Sequence, residues 1–114
     1  MDFKEYLSRI EDAKNYPTSE QHLMEYGFPP DCEFSAHGIA KAFEIIHAVS
    51  RNDFPQLVEL YGGNLSAMCR LFNIPLRTAQ AWAAGERDPS PYLMCLIGFA
   101  LISLCEKDEE RSVM

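Results

Sequence analysis

Apolar residues recur at helical spacings from one end of the chain to the other, and no stretch alternates as a half-buried strand would. Phe3, Tyr6, Leu7 and Ile10 make one helical stripe, which Asn15 and Pro17 end. Thr18 predicts the next start, with Gln21 completing a capping box, and Gly27 the stop. Phe28-Pro29-Pro30-Asp31 reads as a rigid connector, because Pro29 pushes Phe28 out of helical geometry. Ser35 opens a longer helix with Ile39, Phe43, Ile46 and Val49 on one face, interrupted at Asn52-Asp53. Asp53 then caps a short helix with Pro55 in its first turn, Leu57, Val58, Leu60 and Tyr61 as its apolar positions, and Gly62-Gly63 as its end. Asn64 caps another, and Ser90-Pro91 starts a last helix running to about Cys105. The expectation is an all-α domain of about six or seven helices, followed by a polar, acidic, frayed tail.

Between the glycine pair and the last helix lies the most informative stretch, NLSAMCRLFNIPLRTAQAWAAGERDPS. It reads as two short helices joined by a tight turn. Leu65, Met68, Cys69 and Phe72 give the first helix an inner face. Asn73 tolerates a left-handed turn, Ile74 plugs it, and Pro75 suits the first turn of the second helix. Ala79 and Trp82 face inward, and the small Ala79 lets two helices cross closely. Gly85 ends the pair.

These residues resemble the phage-repressor/Cro-type helix-turn-helix family, also called the xenobiotic-response-element type, over residues 54–104. Met68-Cys69 stand where the family has Leu-Ala, and Asn73-Ile74-Pro75 replace its usual Gly-Val-Ser. Thr78 and Trp82 fill the family's Thr and Trp positions, and Gly85 and Pro89 complete a W-x-x-G-x-x-x-P ending. Ala83 departs from the acidic residue that commonly follows Trp. The resemblance implies a lambda-repressor-like bundle over residues 53–105; residues 1–52, outside it, are expected to form an N-terminal helical extension that packs on that bundle, and residues 106–114 an acidic flexible tail. Burial is expected for Trp82, Ile74, Leu71, Phe72 and Leu96, with the extension docking through Phe3, Leu7, Ile39, Phe43 and Ile46.

In this family the second helix of the motif enters the major groove of double-stranded DNA. The base-reading positions map to Leu76, Arg77, Gln80 and Ala81. Arg77 can donate two parallel hydrogen bonds to a guanine edge, and Gln80 can pair with adenine. Leu76 either packs on a thymine methyl or belongs to the core. Asn64, Thr78 and Arg87 map to phosphate contacts, although Thr78 can instead bond back within its own helix.

Charge sharpens this picture. The 114 residues carry 10 Lys plus Arg against 17 Asp plus Glu, a formal charge of -7. That balance argues against non-specific coating of nucleic acid or anionic lipid. It is unevenly spread: -6 over residues 1–61, +1 over 62–91 and -2 over 92–114, so the motif occupies the one window that is not acidic. The last helix is apolar around most of its circumference, which implies either a homodimer through Tyr92, Ile97, Leu101 and Leu104 on a palindromic operator or cover by the N-terminal helices.

Other chemistry is sparse. Cys32, Cys69, Cys95 and Cys105 form no C-x-x-C pair, so neither a zinc site nor a disulfide scaffold is expected. His37 and His47 lie about 280° apart around one helix and cannot share a metal. Glu11-Asp12 and Asp108-Glu109-Glu110 read as solvated charge. No enzyme activity and no cofactor are expected. The run from Tyr92 to Cys105 falls short of the ~20 residues of a membrane span, and a cytoplasmic protein is expected. The reading is a DNA-binding repressor or autoregulator of phage or mobile-element type. The alternative is a small acidic phage-type inhibitor, such as an anti-defence protein, that uses the scaffold to bind protein through its acidic N-terminal half.

Overall fold

In the computed structural model, described for residues 2–26 and 36–113 (side chains for 2–26 and 38–104), the chain forms seven helices and, among the described residues, no strand. They are α1 (Phe3–Ala13), α2 (Ser19–Tyr26), α3 (Ala36–Ser50), α4 (Phe54–Tyr61), α5 (Leu65–Phe72), α6 (Leu76–Ala83) and α7 (Pro91–Val113).

The helix starts follow from capping chemistry. Asp2 Oδ1 accepts from Glu5 N, Thr18 Oγ1 from Gln21 N, Asp53 Oδ1 from Gln56 N and Ser90 Oγ from Leu93 N, each satisfying a first-turn donor. The ends are set by left-handed residues. Asn52 (φ 54°) follows α3, and Gly62 (φ 118°) and Gly63 (φ 78°) follow α4. Gly27, the 28–31 connector, Cys32, Ser35 and the His37 side chain lie outside the described residues.

The long helices α3 and α7 form the centre. Of α3, Ile39, Ala42, Phe43, Ile45, Ile46, Ala48 and Val49 are all buried, which is more than one face. It packs against α1, α2, α4 and α7. A helix read from sequence as part of an N-terminal extension is therefore the one around which the others are arranged. The sequence shows only that α3 is apolar; which helices cover it depends on contacts distant in the chain.

Two close approaches lock this arrangement. A Cβ on Gly98 of α7 would lie 2.5 Å from both Tyr6 Oη and Val49 Cγ2, so only glycine lets α1, α3 and α7 meet there. Tyr6 Oη donates to Cys95 O at 2.8 Å. At the far end of α1, Arg51 Nη1 donates to Ala13 O at 2.9 Å, and Arg51 Nη2 donates to Tyr16 O. A cation thus meets the carbonyl end of the α1 dipole.

Several core expectations change. Leu71 (48% exposed) and Leu96 (41% exposed) lie on the surface, and Trp82, Ile74 and Phe72 are half-buried. Leu71 sits one step off the Leu65–Met68–Cys69–Phe72 stripe, and α5 packs mainly on α4 and α6, so its flank stays open. Ile39, Phe43 and Ile46 are buried, whereas Phe3 and Leu7 are only partly covered at the edge of α1. Helix α7 continues to Val113 rather than stopping near Cys105, because its last stretch contains no glycine or proline to end it. Among the described residues, no helix is long and apolar enough to cross a membrane.

Candidate nucleic-acid interface

The motif helices are built from local signals. Asn64 Oδ1 accepts from Ala67 N at 3.0 Å and starts α5. Asn73 adopts φ 55° and ψ 43°, and Ile74 N bonds back to Cys69 O at 2.9 Å, closing α5 and reversing the chain. Asparagine adopts this left-handed geometry more readily than most residues. Pro75 is the N-cap of α6 rather than a residue of its first turn (ψ 129°), and its carbonyl accepts from Ala79 N at 3.1 Å. With no side chain on Pro75 able to cap, the first amides of α6 lack an internal acceptor.

Ala79 is fully buried where α6 meets α4 and α5. Trp82 meets Phe54 edge to face, with centroids 5.3 Å apart, which anchors the C-terminal half of α6 to α4. After α6, Gly85 takes φ 79° and Glu86 N returns to Ala81 O at 3.0 Å. The following segment is pinned by Asn52, whose Nδ2 donates to Pro89 O at 3.1 Å. The end of α3 therefore holds the exit of the motif.

With its inner face so occupied, α6 turns Arg77 and Gln80 outward, while Thr78 and Ala81 are half-buried at the rim. Arg77, Thr78, Gln80, Ala81, Trp82, Ala84 and Arg87 line one open concavity of ≈ 550 Å³ together with the carboxylate-bearing Glu86. Among the described residues, neither the Arg77 nor the Arg87 guanidinium has an ion-pair or hydrogen-bond partner in the chain. Leu76 (41% exposed) lies at the start of α6 outside this hollow, and its exposure rules out the core reading. Asn64 also lies outside it, with its side-chain oxygen committed to the α5 cap.

The residues assigned to a dimer surface divide. Tyr92 is 74% exposed and Leu104 half-buried, but Ile97 and Leu101 are buried within the chain. Met94, Ile97, Leu101 and Ile102 form the stripe of α7 that faces the core, so two of the four assigned side chains are already covered.

Elsewhere the chemistry is quiet. Burial pushes the Cys69 and Cys95 thiols up, which keeps them protonated and poorly nucleophilic. Among the described residues, no three His, Cys, Asp or Glu side chains are grouped to hold a metal ion. The sequence reading missed one polar cluster, at the joint of α1, α2 and α3, where His22 is fully buried. The pattern Tyr16, His22, Tyr26 was visible, but the Phe43 that completes it is distant in the chain. Comparison with protein-family models, curated proteins and solved structures finds no match to this chain.

Proposed function

We propose that the chain is a sequence-specific DNA-binding regulator of phage or mobile-element type, a lambda-repressor-like helix-turn-helix protein acting as a dimeric repressor or autorepressor on a short palindromic operator. The supporting observation is that Arg77, Thr78, Gln80 and Ala81 of α6 share one exposed hollow with Arg87 and Glu86, both cations being unpaired among the described residues. A major groove about 12 Å wide admits such a helix. Arg77 then reads guanine and Gln80 reads adenine, while Ala81 keeps the helix face low enough to approach the bases. Leu76 packs on a thymine methyl. Thr78, Arg87 and the α5 start at Asn64 take phosphates on either side. A second copy docks through what α7 leaves exposed, chiefly Tyr92 and Leu96.

The charge of -7 suits this reading in one respect. It suppresses non-specific binding, so affinity depends on few contacts and on the right bases. The test is selection from random duplex oligonucleotides, followed by two variants. Arg77→Ala removes a bidentate base contact, with an expected loss of about 1–3 kcal/mol at the preferred site and relaxed choice at one position. Arg87→Ala weakens all sequences alike and lowers the salt slope by about one. If no sequence is enriched, or Arg77→Ala changes neither affinity nor preference, the groove-reading assignment is wrong and protein binding through the acidic N-terminal half becomes the better account.

A further inference from the structure

His22 is the one side chain of α2 that is fully buried. Three rings enclose its imidazole. Tyr16 stacks on it with centroids 4.8 Å apart and planes 10° off parallel, and Phe43 and Tyr26 meet it edge-on at 4.7 Å and 5.1 Å. Among the described residues, neither Nδ1 nor Nε2 has a hydrogen-bond partner.

Among the described residues, the charged and titratable groups facing this cage come from α1, the turn after it, α2 and α3. Arg9 and Asp12 come from α1, Tyr16 from the turn, Tyr26 from α2 and His47 from α3. Arg9 lies over the Tyr26 ring at 3.8 Å and within 3.5 Å of Asp12 Oδ2, with its own Nε buried and unpaired. Tyr26 Oη donates to Asp12 Oδ2, so that carboxylate is already engaged by two partners. His47 Nε2 lies 3.2 Å from Pro17 O. Among the described residues, the cage offers His22 no acceptor of its own.

A neutral imidazole is tolerated here as a flat, largely apolar wedge. An imidazolium carries two N–H donors and a full charge, and enclosing both without an acceptor is far less favourable than leaving them in water. Burial and the neighbouring Arg9 push the His22 pKa down, Asp12 works weakly against them, and His47 adds to the lowering. Helix α2 has only 8 residues, too few to persist without its docking contact. The turn beside it stays anchored, because Arg51 holds Ala13 O and Tyr16 O independently of His22.

We propose that His22 is an acid-released latch: neutral, it wedges α2 onto α1 and α3, and when it takes up a proton α2 swings away about the Tyr16–Thr18 turn, uncovering Phe43. The proposal is independent of DNA binding. The closed state disfavours the proton, so its pKa lies below the ordinary value of ~6.5 that applies when α2 is open. The latch contribution is therefore complete above pH ~6.5 and is lost as pH falls below it. The opening constant rises by up to about tenfold per pH unit until the closed-state pKa is reached.

Hydrogen exchange of the α2 amides, expressed as protection factors, tests this against α3 and α7 as internal references. The expected result is a loss of about tenfold in α2 protection between pH ~7.5 and ~5.5, with α2 opening at a far lower free energy than the global unfolding that α3 and α7 report. His22→Phe keeps a flat ring without a titrating group, and its α2 protection should not vary with pH. Unchanged α2 protection in the native chain, or an equal loss in the variant, overturns the proposal. Should His22→Phe fail to fold, NMR titration of the native His22 ring decides: a midpoint clearly below ~6.5 supports the latch, and one at or above it refutes the latch.

Discussion

Helices α1–α3 and α4–α6 are successive three-helix units of similar local grammar, with capped starts, short turns and amphipathic stripes, yet they use their apolar residues differently. In α1–α3 most of the apolar positions are enclosed: Tyr6, Ile10, Ala13, Ile39, Phe43, Ile45 and Ile46 are buried, with Phe3 and Leu7 left partly open at the edge of α1. In α5 and α6 only Met68, Cys69 and Ala79 are, while Leu71 and Leu76 face outward and Trp82 is half-covered. The difference arises from position. Helix α3 has neighbours on several sides, whereas α5 and α6 lean on each other and on α4 and leave their outer surfaces open. Helices α5 and α6 thus bury less apolar side chain than α3, and α3 is expected to contribute more to stability.

The largest test of that contrast is Ile46→Ala, which deletes a fully buried side chain at the centre of α3. A loss of about 2–5 kcal/mol is expected in denaturant unfolding. A loss under about 1 kcal/mol would mean that α3 is not the centre of stability. An intermediate effect is expected for Trp82→Ala, about 2 kcal/mol, because only part of the ring leaves water on folding. A full core-type loss of about 3–5 kcal/mol there would show that the motif is packed more tightly than its exposure indicates. The smallest effect is expected for Leu71→Ala. Thermal unfolding should shift by no more than about 0.5 kcal/mol equivalent, since that side chain is half in solvent. A larger shift would place a covering group over α5, such as a second copy of the chain, and should then depend on protein concentration.

Much of the local structure was legible beforehand. Thr18, Asp53, Asn64 and Ser90 cap helices because their side-chain oxygens suit first-turn amides wherever they occur. Asn73 and Gly85 carry the expected turns for a similarly local reason, the energetics of positive φ. The outward positions of Arg77 and Gln80 also follow from helical period once Ala79 is known to face inward. Misreadings arose where a side chain's environment depends on distant partners. Ile97 and Leu101 looked like spare apolar surface on α7, but α3 covers them. Leu96 and Leu71 looked like core, but among the described residues no helix reaches their side of α7 or α5 far enough to bury them. Histidine 22 looked like part of a helix start, and three rings from different elements enclose it.

What the sequence alone determined is therefore what a few consecutive residues can decide: the helical character of the described residues, where most of their helices start and turn, and the charge carried by each stretch. Caps, glycines and helical period act over one or two turns and need no knowledge of the rest of the molecule. Only the tertiary structure decided that α3 is the hub, that Gly98 must be small because Tyr6 and Val49 converge on it, and that His22 sits in a cage without an acceptor. Each of those depends on which face meets which neighbour, and an apolar stripe specifies that a face be buried without specifying by what.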